Sequence, residues 1–408
     1  MLSQFYKKDF TILSKLENDM RLVYLDNAAT TQKPDVVLAA VKRFYTSDNA
    51  NPHRGVYDLA MRATDVHEKA RSIIASFLNA ERDEEIIFTR NATEALNLVA
   101  YSYGLANLKT DDEIAVAVSE HHSNLVPWQR VSEITGAKVV YLYPDEQGEY
   151  TKEELTSKIG RSTKILAMAQ VSNVLGIENP VKLAVSLVHQ NGGIAVIDCA
   201  QSVAHMRVDV RDLDADFAAF SGHKIYGPMG IGVLYGKYGI LDKMPPFLSG
   251  GDMISHVHES GTTYAKPPRK FEAGTCNLGA EAGLVEAIRY VESIGLDKIR
   301  EHETELCRKA LKGLNNIGGI DIYPAVSDRD RSLISFNIRG VHPHDAATIM
   351  DSLGVCVRAG HHCAEPLMER LGIGSCLRAS FALYNDEEDV DIFLSSVEQT
   401  RKVMGIGS

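Results

Sequence analysis

The residues with the clearest chemical potential are a lysine and an aspartate that each follow an apolar run. Lys224 closes the turn 221–224 (Ser-Gly-His-Lys) after residues 217–220, and Asp198 ends the apolar run 194–197. A lone lysine after a strand is usually a surface residue. Pyridoxal phosphate, however, requires a Schiff-base lysine and an acid beside its pyridine nitrogen. The pair therefore suggests a pyridoxal-phosphate site.

Further polar residues lie close enough in sequence to contact the same cofactor. Gln201, three residues past Asp198, could reach the phenolic oxygen of the ring, although a surface glutamine is the alternative. His121 follows a strand-like run, and its planar imidazole could stack on the ring and shuttle protons. The adjacent His121 and His122 have no third ligand at a suitable spacing, so no metal is predicted. The other candidates at strand ends or beside the lysine are Asn173, Ser221 and His223.

Residues 85–98 read as a strand, a tight turn and a helix that begins near Thr93. The free N–H groups at a helix start, together with a threonine hydroxyl, favour an anion such as a phosphate. Ala92 and Thr93 are therefore candidate phosphate contacts. The alternative is an ordinary threonine cap of the helix.

A second cluster lies at 358–364, where Cys363 follows a Gly-His-His sequence. Nearby cations favour the thiolate form, so Cys363 could act as a nucleophile. The alternative is that a free cysteine is a small buried apolar residue. Arg378 follows a short apolar stretch, and its planar guanidinium suits the carboxylate of an amino acid.

The composition limits the class of protein. With a formal net charge of -11 over 408 residues and no strongly basic run, binding to nucleic acid or to an anionic membrane is disfavoured. No apolar stretch approaches the roughly 18 residues of a membrane span. Residues 1–10 lack an apolar signal core, so we expect a cytoplasmic protein. The six cysteines form no CxxC pair, which disfavours a zinc ribbon or a disulfide framework.

The elements that must position these residues alternate between strand-like and helical patterns. Such alternation predicts an α/β fold with a parallel or mixed sheet covered on both faces. Ligands bind such sheets at the carboxyl ends of the strands, where the motif residues fall. We also expect an amphipathic helix over 5–20. The predicted division is an N-terminal segment 1–22 packing with the small domain, a large cofactor-binding domain 23–285 and a small α+β domain 286–408.

Together these motifs resemble the SUF-type (group II) cysteine desulfurases, which belong to the class V, fold-type I pyridoxal-phosphate enzymes. The resemblance extends from residue 24 to residue 380. Its most specific pieces are Glu120-His121-His122, Asp198-x-x-Gln201, Ser221-Gly222-His223-Lys224 and Arg358-x-Gly360-His361-His362-Cys363-Ala364. The implied fold has a mostly parallel central sheet between helices and a small C-terminal α+β domain.

The resemblance implies a role for each candidate residue. Lys224 would form the Schiff base, Asp198 would pair with the pyridine nitrogen, and Cys363 would take the sulfur. Gln201 would contact the phenolic oxygen, and His121 would stack on the ring. The implied phosphate contacts are Ala92, Thr93, Ser221, His223 and, from the partner of a homodimer, Thr275. The implied substrate side comprises Arg378, which would clamp the carboxylate, with Asn173, His53, Arg54, Arg358 and His361.

The implied reaction converts L-cysteine to L-alanine and leaves a persulfide on Cys363. A SufE- or SufU-like acceptor protein would then take the sulfur for iron–sulfur cluster assembly. A selenocysteine lyase and another class V enzyme, such as an aminotransferase, remain alternatives. A non-catalytic binding module is disfavoured because Lys224, Asp198 and Cys363 are all intact. Cys276 stands where the family commonly has proline, which leaves the turn at Thr275 less rigid.

Overall fold

A seven-stranded sheet forms the centre of the fold. The computed structural model describes residues 2–14, 16–17, 20–53, 55–325 and 330–406. The strands of this sheet are β1 (Ile86–Thr89), β2 (Glu113–Ala117), β3 (Lys138–Leu142), β4 (Thr163–Ala169), β5 (Ile194–Asp198), β6 (Phe217–Ser221) and β7 (Gly232–Gly236). They lie in the order β1-β7-β6-β5-β4-β2-β3.

The sheet is mixed, as predicted. Strands β2 to β6 pair in parallel, whereas β7 is antiparallel to its neighbours β1 and β6. Every residue of β5 and β6 is buried, as expected for strands covered on both faces. Because β1 also points in the direction of β6, the loops that follow β1, β2, β5 and β6 meet at one edge of the sheet.

Helices cover both faces of this sheet. Consecutive residues of a strand point to opposite faces of the sheet. Val196 and Ile197 of β5 accordingly belong to two separate apolar clusters. The α-helices are Ser3–Tyr6, Asp35–Arg43, Asp58–Leu78, Ala92–Leu98, Leu105–Asn107, Val126–Thr135, Lys152–Lys158, Val181–Gln190, Tyr238–Leu241, Leu278–Ile294, Leu296–Ile317, Pro343–Asp351, Glu365–Arg370 and Glu387–Val403. Within the described ranges, none of them combines the length and apolar character that crossing a bilayer requires.

A smaller antiparallel sheet lies in the C-terminal part of the chain. Its strands are β8 (Ile320–Tyr323), β9 (Leu333–Ile338), β10 (Arg358–Gly360) and β11 (Cys376–Ser380), in the order β8-β9-β11-β10. Val23–Tyr24 pairs in parallel with Val355–Cys356, and Val23 and Leu25 are buried in the core of this C-terminal part. The boundaries at 22/23 and 285/286 stay predictions. The latter falls within the continuous helix Leu278–Ile294.

Two further pairs of strands lie outside these sheets. Leu16–Glu17 pairs with Met20–Arg21. Ile254–His258 and Gly261–Tyr264 form a hairpin, and every residue of the hairpin except Ile254 is exposed.

The predicted helix over 5–20 is wrong. The chain instead forms short turns at Ser3–Tyr6, Lys7–Asp9 and Thr11–Ser14. Phe10 interrupts them with non-helical dihedrals (φ -116°, ψ 84°), because its buried ring packs against Tyr384 with centroids 4.6 Å apart. Burial of one aromatic side chain therefore outweighs the helical pattern of the segment.

Candidate active site

A cavity of about 270 Å³ lies where the carboxyl edge of the central sheet meets β10 and β11. The carboxyl ends of five strands, β1, β2, β4, β5 and β6, and the loops after them supply one wall, and residues 28–29 and 358–378 supply the rest of the lining. The cavity is lined by Ala28, Ala29, Asn91, Ala92, Thr93, His121, Ser123, Asn173, Asp198, Ala200, Ser221, His223, Lys224, Arg358, His362, Cys363 and Arg378. The structure thus brings together eleven of the residues proposed from the sequence.

Lys224 is held by its backbone. It ends the 3-10 turn Gly222–Lys224 after β6, and the preceding carbonyl oxygen, on His223, accepts several hydrogen bonds from the loop 30–33. The donors include Thr30 Oγ1 at 3.0 Å, Thr31 N at 3.1 Å and Lys33 Nζ at 2.9 Å. This convergence on a single carbonyl fixes the point from which the Lys224 side chain extends.

Asp198 and Lys224 face the same cavity and influence each other's charge. Burial raises the pKa of Asp198, and the charge of Lys224 opposes that shift. Burial likewise lowers the pKa of Lys224 to about 8, with Asp198 opposing. Asp198 Oδ1 accepts a hydrogen bond from Ala200 N at 2.8 Å. Gln201 is buried, and its Nε2 donates to the carbonyl oxygen of Ala28 at 2.9 Å, which fixes that part of the cavity wall.

The His121 ring is held in one orientation after β2. Its Nδ1 accepts a hydrogen bond from Ser123 N at 3.1 Å and lies 2.7 Å from Ser123 Oγ, which assigns the ring hydrogen to Nε2. Burial, followed by the charge of Lys224, lowers the pKa of His121 to about 3. The neighbouring Glu120 is fully buried and accepts from Ala169 N at 2.7 Å. A neutral, fixed imidazole therefore faces the cavity.

The helix Ala92–Leu98 begins at the cavity. Its first N–H, on Ala92, donates to Ser221 Oγ at 2.8 Å, and Thr93 lines the same wall. His223 Nδ1 is buried and has no hydrogen-bond partner among the described residues. Burial lowers the pKa of His223 to about 4. A buried polar atom without a partner, on a cavity that a helix start and two hydroxyl residues also line, indicates a place for a polar ligand group.

An arginine pair forms the opposite end of the cavity. Arg378 is buried, donates from Nη1 to the carbonyl oxygen of Asn173 at 2.8 Å, and leaves its Nε without a partner in the described chain. Arg358 binds Asp26 through two nitrogens, at 3.0 and 2.9 Å, and Arg378 Nη2 lies 3.6 Å from the same carboxylate. Burial lowers the pKa of Arg378 to about 10, so it stays charged. This is a cationic end suited to a carboxylate.

Cys363 is exposed in the loop between β10 and the helix Glu365–Arg370. His362 and Cys363 both have positive φ, 52° and 56°, a conformation that costs energy for residues other than glycine. Two hydrogen bonds support it: His122 N donates to the Cys363 carbonyl oxygen at 2.7 Å, and Asn173 Nδ2 donates to that of His362 at 2.8 Å. The loop presents a thiol at the mouth of the cavity.

Some predicted residues lie elsewhere. Thr275 is exposed in a separate groove, and His53 lines a small pocket beside it. His361 is half exposed, with Nδ1 3.0 Å from Glu365 Oε1. Arg54 falls outside the described residues. The roles assigned to these residues stay predictions.

Several residues that build this site have no role predicted from the sequence. Asp26 positions both arginines, Lys33 binds the backbone before Lys224, and His362 lines the cavity. His362 stands in a motif already quoted, beside Cys363, so its position was a usable signal. Asp26 lies 332 residues before Arg358, and Lys33 lies 190 residues before His223. No local sequence pattern marks either residue.

A buried ionic network lies near Thr275. Arg71 donates to both carboxylate oxygens of Glu272 at 2.9 Å, while His67 contacts Arg71 at 2.6 Å and Glu281 at 2.8 Å. Two groups of three possible metal ligands in the described chain contain His67. Because both of its ring nitrogens already contact these partners, we assign no metal to it.

The comparisons with known proteins agree with this geometry. The profile of the aminotransferase class-V family matches residues 23–393. The chain therefore belongs to the aminotransferase class-V family.

Within that family, the chain is similar to proteins named for one activity. It is 48% identical over 399 residues to a probable cysteine desulfurase of Halalkalibacterium halodurans, covering 98% of each chain. A crystal structure of the cysteine desulfurase CsdA (S-sulfonic acid) from Escherichia coli matches with a TM-score of 0.91 and 39% identity over 99% of both chains. The apo cysteine desulfurase from Thermococcus onnurineus NA1 matches with a TM-score of 0.92 and 40% identity over 98% of both. The predicted fold-type I architecture is confirmed.

Proposed function

We propose that the chain is a pyridoxal-phosphate-dependent cysteine desulfurase that converts L-cysteine to L-alanine and holds the sulfur on Cys363. One observation carries the proposal: a lysine, a buried aspartate, a buried arginine and an exposed cysteine converge on one cavity. Near-full-length similarity to cysteine desulfurases supports the same activity.

The residues on the sheet side fit the cofactor. The unpartnered Nδ1 of His223 and the hydroxyl residues Ser221 and Thr93 on the same cavity suit a phosphate group. Asp198 would pair with the pyridine nitrogen, and Lys224 would hold the aldehyde carbon. His121 would stack on the ring, with Ala92, Asn173 and Gln201 as further contacts. When bound, the cofactor supplies an electron sink for the substrate's α-carbon.

The chain's own residues would then perform distinct tasks. The guanidinium of Arg378 binds the substrate carboxylate, because this buried cation lines the cavity and its Nε–H has no partner among the described residues. The amine of Lys224 takes the α-proton, a task favoured by a pKa of about 8. The sulfur of Cys363 attacks the sulfur of the substrate, so that an S–S bond forms as the carbon–sulfur bond breaks, and the electron pair of the broken bond passes to the substrate carbon, which is then protonated to give alanine. Asn173 supports both ends by contacting Arg378 and the His362 backbone.

We extend the proposal to partners and setting. Thr275 is exposed in a groove of about 920 Å³ outside the cavity, so a contact with the cofactor phosphate of a second copy is consistent with a homodimer. His53 lines a pocket shared with Thr275 and would act through the same contact. The exposed Cys363 suits transfer of sulfur to a SufE- or SufU-like protein. Iron–sulfur cluster assembly in the cytoplasm is the corresponding role.

The test is product analysis with L-cysteine. We expect equal amounts of alanine and of transferable sulfur from the purified, cofactor-loaded protein, and loss of both in Lys224→Ala and Cys363→Ser. Cys356→Ser, a half-buried cysteine outside the cavity, is the matched control and should retain activity. Formation of an α-keto acid in place of alanine would favour an aminotransferase. Turnover of selenocysteine alone would favour a selenocysteine lyase.

A further inference from the structure

His362 is a buried cavity residue that the proposed mechanism does not use. It precedes Cys363, is 7% exposed and lines the cavity together with Lys224 and Arg378. Its neighbour Cys363 is exposed, so the two consecutive side chains point to different environments. Both residues belong to the cavity wall, His362 with a buried side chain.

The hydrogen bond of one ring nitrogen defines the state of the other. His362 Nε2 lies 3.1 Å from the carbonyl oxygen of Cys376, which can only accept, so Nε2 carries the hydrogen. Nδ1 therefore bears a lone pair. This atom is buried and has no partner in the part of the chain that the structure describes. Burial, then the charge of Arg378, lowers the pKa of His362 to about 3, which keeps the ring neutral.

The backbone around the ring is held from both sides. The carbonyl oxygen of His362 accepts from Asn173 Nδ2 at 2.8 Å, and that of Cys363 accepts from His122 N at 2.7 Å. The left-handed dihedrals of the pair persist because these contacts fix them. The ring itself is held by the hydrogen bond from Nε2 to Cys376. Nδ1 is therefore an acceptor in a fixed position.

A bound substrate is one source of donors for this acceptor. The Cys363 thiol makes no hydrogen bond to Nδ1 among the described contacts. A substrate carboxylate is itself an acceptor and is matched by Arg378, and the substrate amine is taken up by the cofactor carbonyl. What remains of L-cysteine is its thiol, whose S–H is a weak donor.

We infer that His362 Nδ1 accepts the S–H hydrogen of the substrate, which makes His362 a specificity-determining residue for thiol amino acids. The inference rests on the proposed function. The hydrogen bond orients the sulfur without removing its proton, so the hydrogen stays on the sulfur that Cys363 attacks. A buried acceptor also disfavours side chains that bring no donor, because Nδ1 then stays unpaired.

Two conservative variants of the cofactor-loaded protein test the roles of the two ring nitrogens separately. Asparagine places an amide oxygen near the position of Nδ1, so His362→Asn keeps the acceptor and loses the bond to Cys376. Glutamine reaches the position of Nε2, so His362→Gln keeps that bond and loses the acceptor. Steady-state kinetics with L-cysteine are measured beside binding of L-alanine, which has no thiol, followed by the cofactor absorbance.

We expect His362→Gln to lower kcat/KM for L-cysteine by about 3- to 10-fold, the range for one neutral hydrogen bond. His362→Asn should stay within about 2-fold of the unmodified protein, a margin below the loss of one such bond. L-alanine should bind both variants as it binds the unmodified protein.

Three results would overturn the inference. The first is an equal loss of L-cysteine turnover and of L-alanine binding in His362→Gln. The second is normal turnover in His362→Gln with a loss in His362→Asn, and the third is unchanged turnover in both variants. If the unmodified protein forms no alanine from L-cysteine, the proposed function itself fails. If it does and the variants do not separate, the inference alone fails.

Discussion

Replacement of Arg378 by methionine removes the charge that we assign to the substrate carboxylate. The fold should survive, because Asp26 keeps two hydrogen bonds from Arg358 and methionine fills a similar buried volume. Substrate binding should not survive intact. Losing a desolvated, charge-assisted contact costs about 2–4 kcal/mol, which corresponds to a decrease of roughly 30- to 1,000-fold in kcat/KM.

The assay is alanine formation from L-cysteine over a range of substrate concentrations, with cofactor absorbance as a check of the loaded site. Arg378→Lys keeps the charge but not the fork that also binds the Asn173 carbonyl, so we expect an intermediate loss of about 10-fold. Arg339→Met is the matched control, because Arg339 is exposed and pairs with Asp321 on the surface. Activity of Arg378→Met within about 3-fold of the unmodified protein would refute the assignment, since a charged contact is worth more than that.

The remaining predictions concern the network near Thr275. Arg71→Met should lower the free energy of unfolding by about 3–5 kcal/mol because it leaves Glu272 buried without its main partner, whereas Arg62→Met, on the exposed face of the same helix, should change it by less than about 0.5 kcal/mol. Urea titration at fixed protein and cofactor concentration measures both, and equal effects would contradict the network. His67 Nε2 accepts a hydrogen bond from Arg71 and its Nδ1 donates to Glu281, so the ring is neutral in this network. Burial alone would raise the pKa of Glu272, but Arg71 holds it at about 2, so its contribution is present above pH 4.5 and declines towards pH 2. Urea midpoints should thus be highest above pH 4.5 and fall towards pH 2, and Arg71→Met should weaken this acid dependence; a flat profile for the unmodified protein over this range would contradict the pKa shift of Glu272.

Much of the sheet and its functional edge could be predicted from the sequence. Asp198, Lys224 and Thr93 each follow an apolar run, and parallel strands place their carboxyl ends together. Lys224 and Asp198 were accordingly found on one cavity. The helix predicted over 5–20 failed because Phe10 packs against Tyr384, a contact between distant residues that no local periodicity encodes.

The far side of the site was less accessible to such reasoning. Arg378 and Cys363 were recognised from residue type and motif, but the Asp26 carboxylate that orders the arginines comes from the opposite end of the chain. Thr275 and His53 do not reach the cavity within one chain. The motif at Thr275 can be recognised in a single sequence. Whether its contact is made within the chain or by a second copy cannot be read from that sequence.

The central claim is that sulfur passes from L-cysteine to Cys363 in a step that depends on Lys224. Mass spectrometry of the peptide containing Cys363, after a single incubation of the cofactor-loaded protein with L-cysteine, tests it most directly. We predict one added sulfur on Cys363, absent in Lys224→Ala and absent from the peptides of the other cysteines. Alanine formed at full rate with no sulfur on Cys363, or the same adduct in Lys224→Ala, would contradict it.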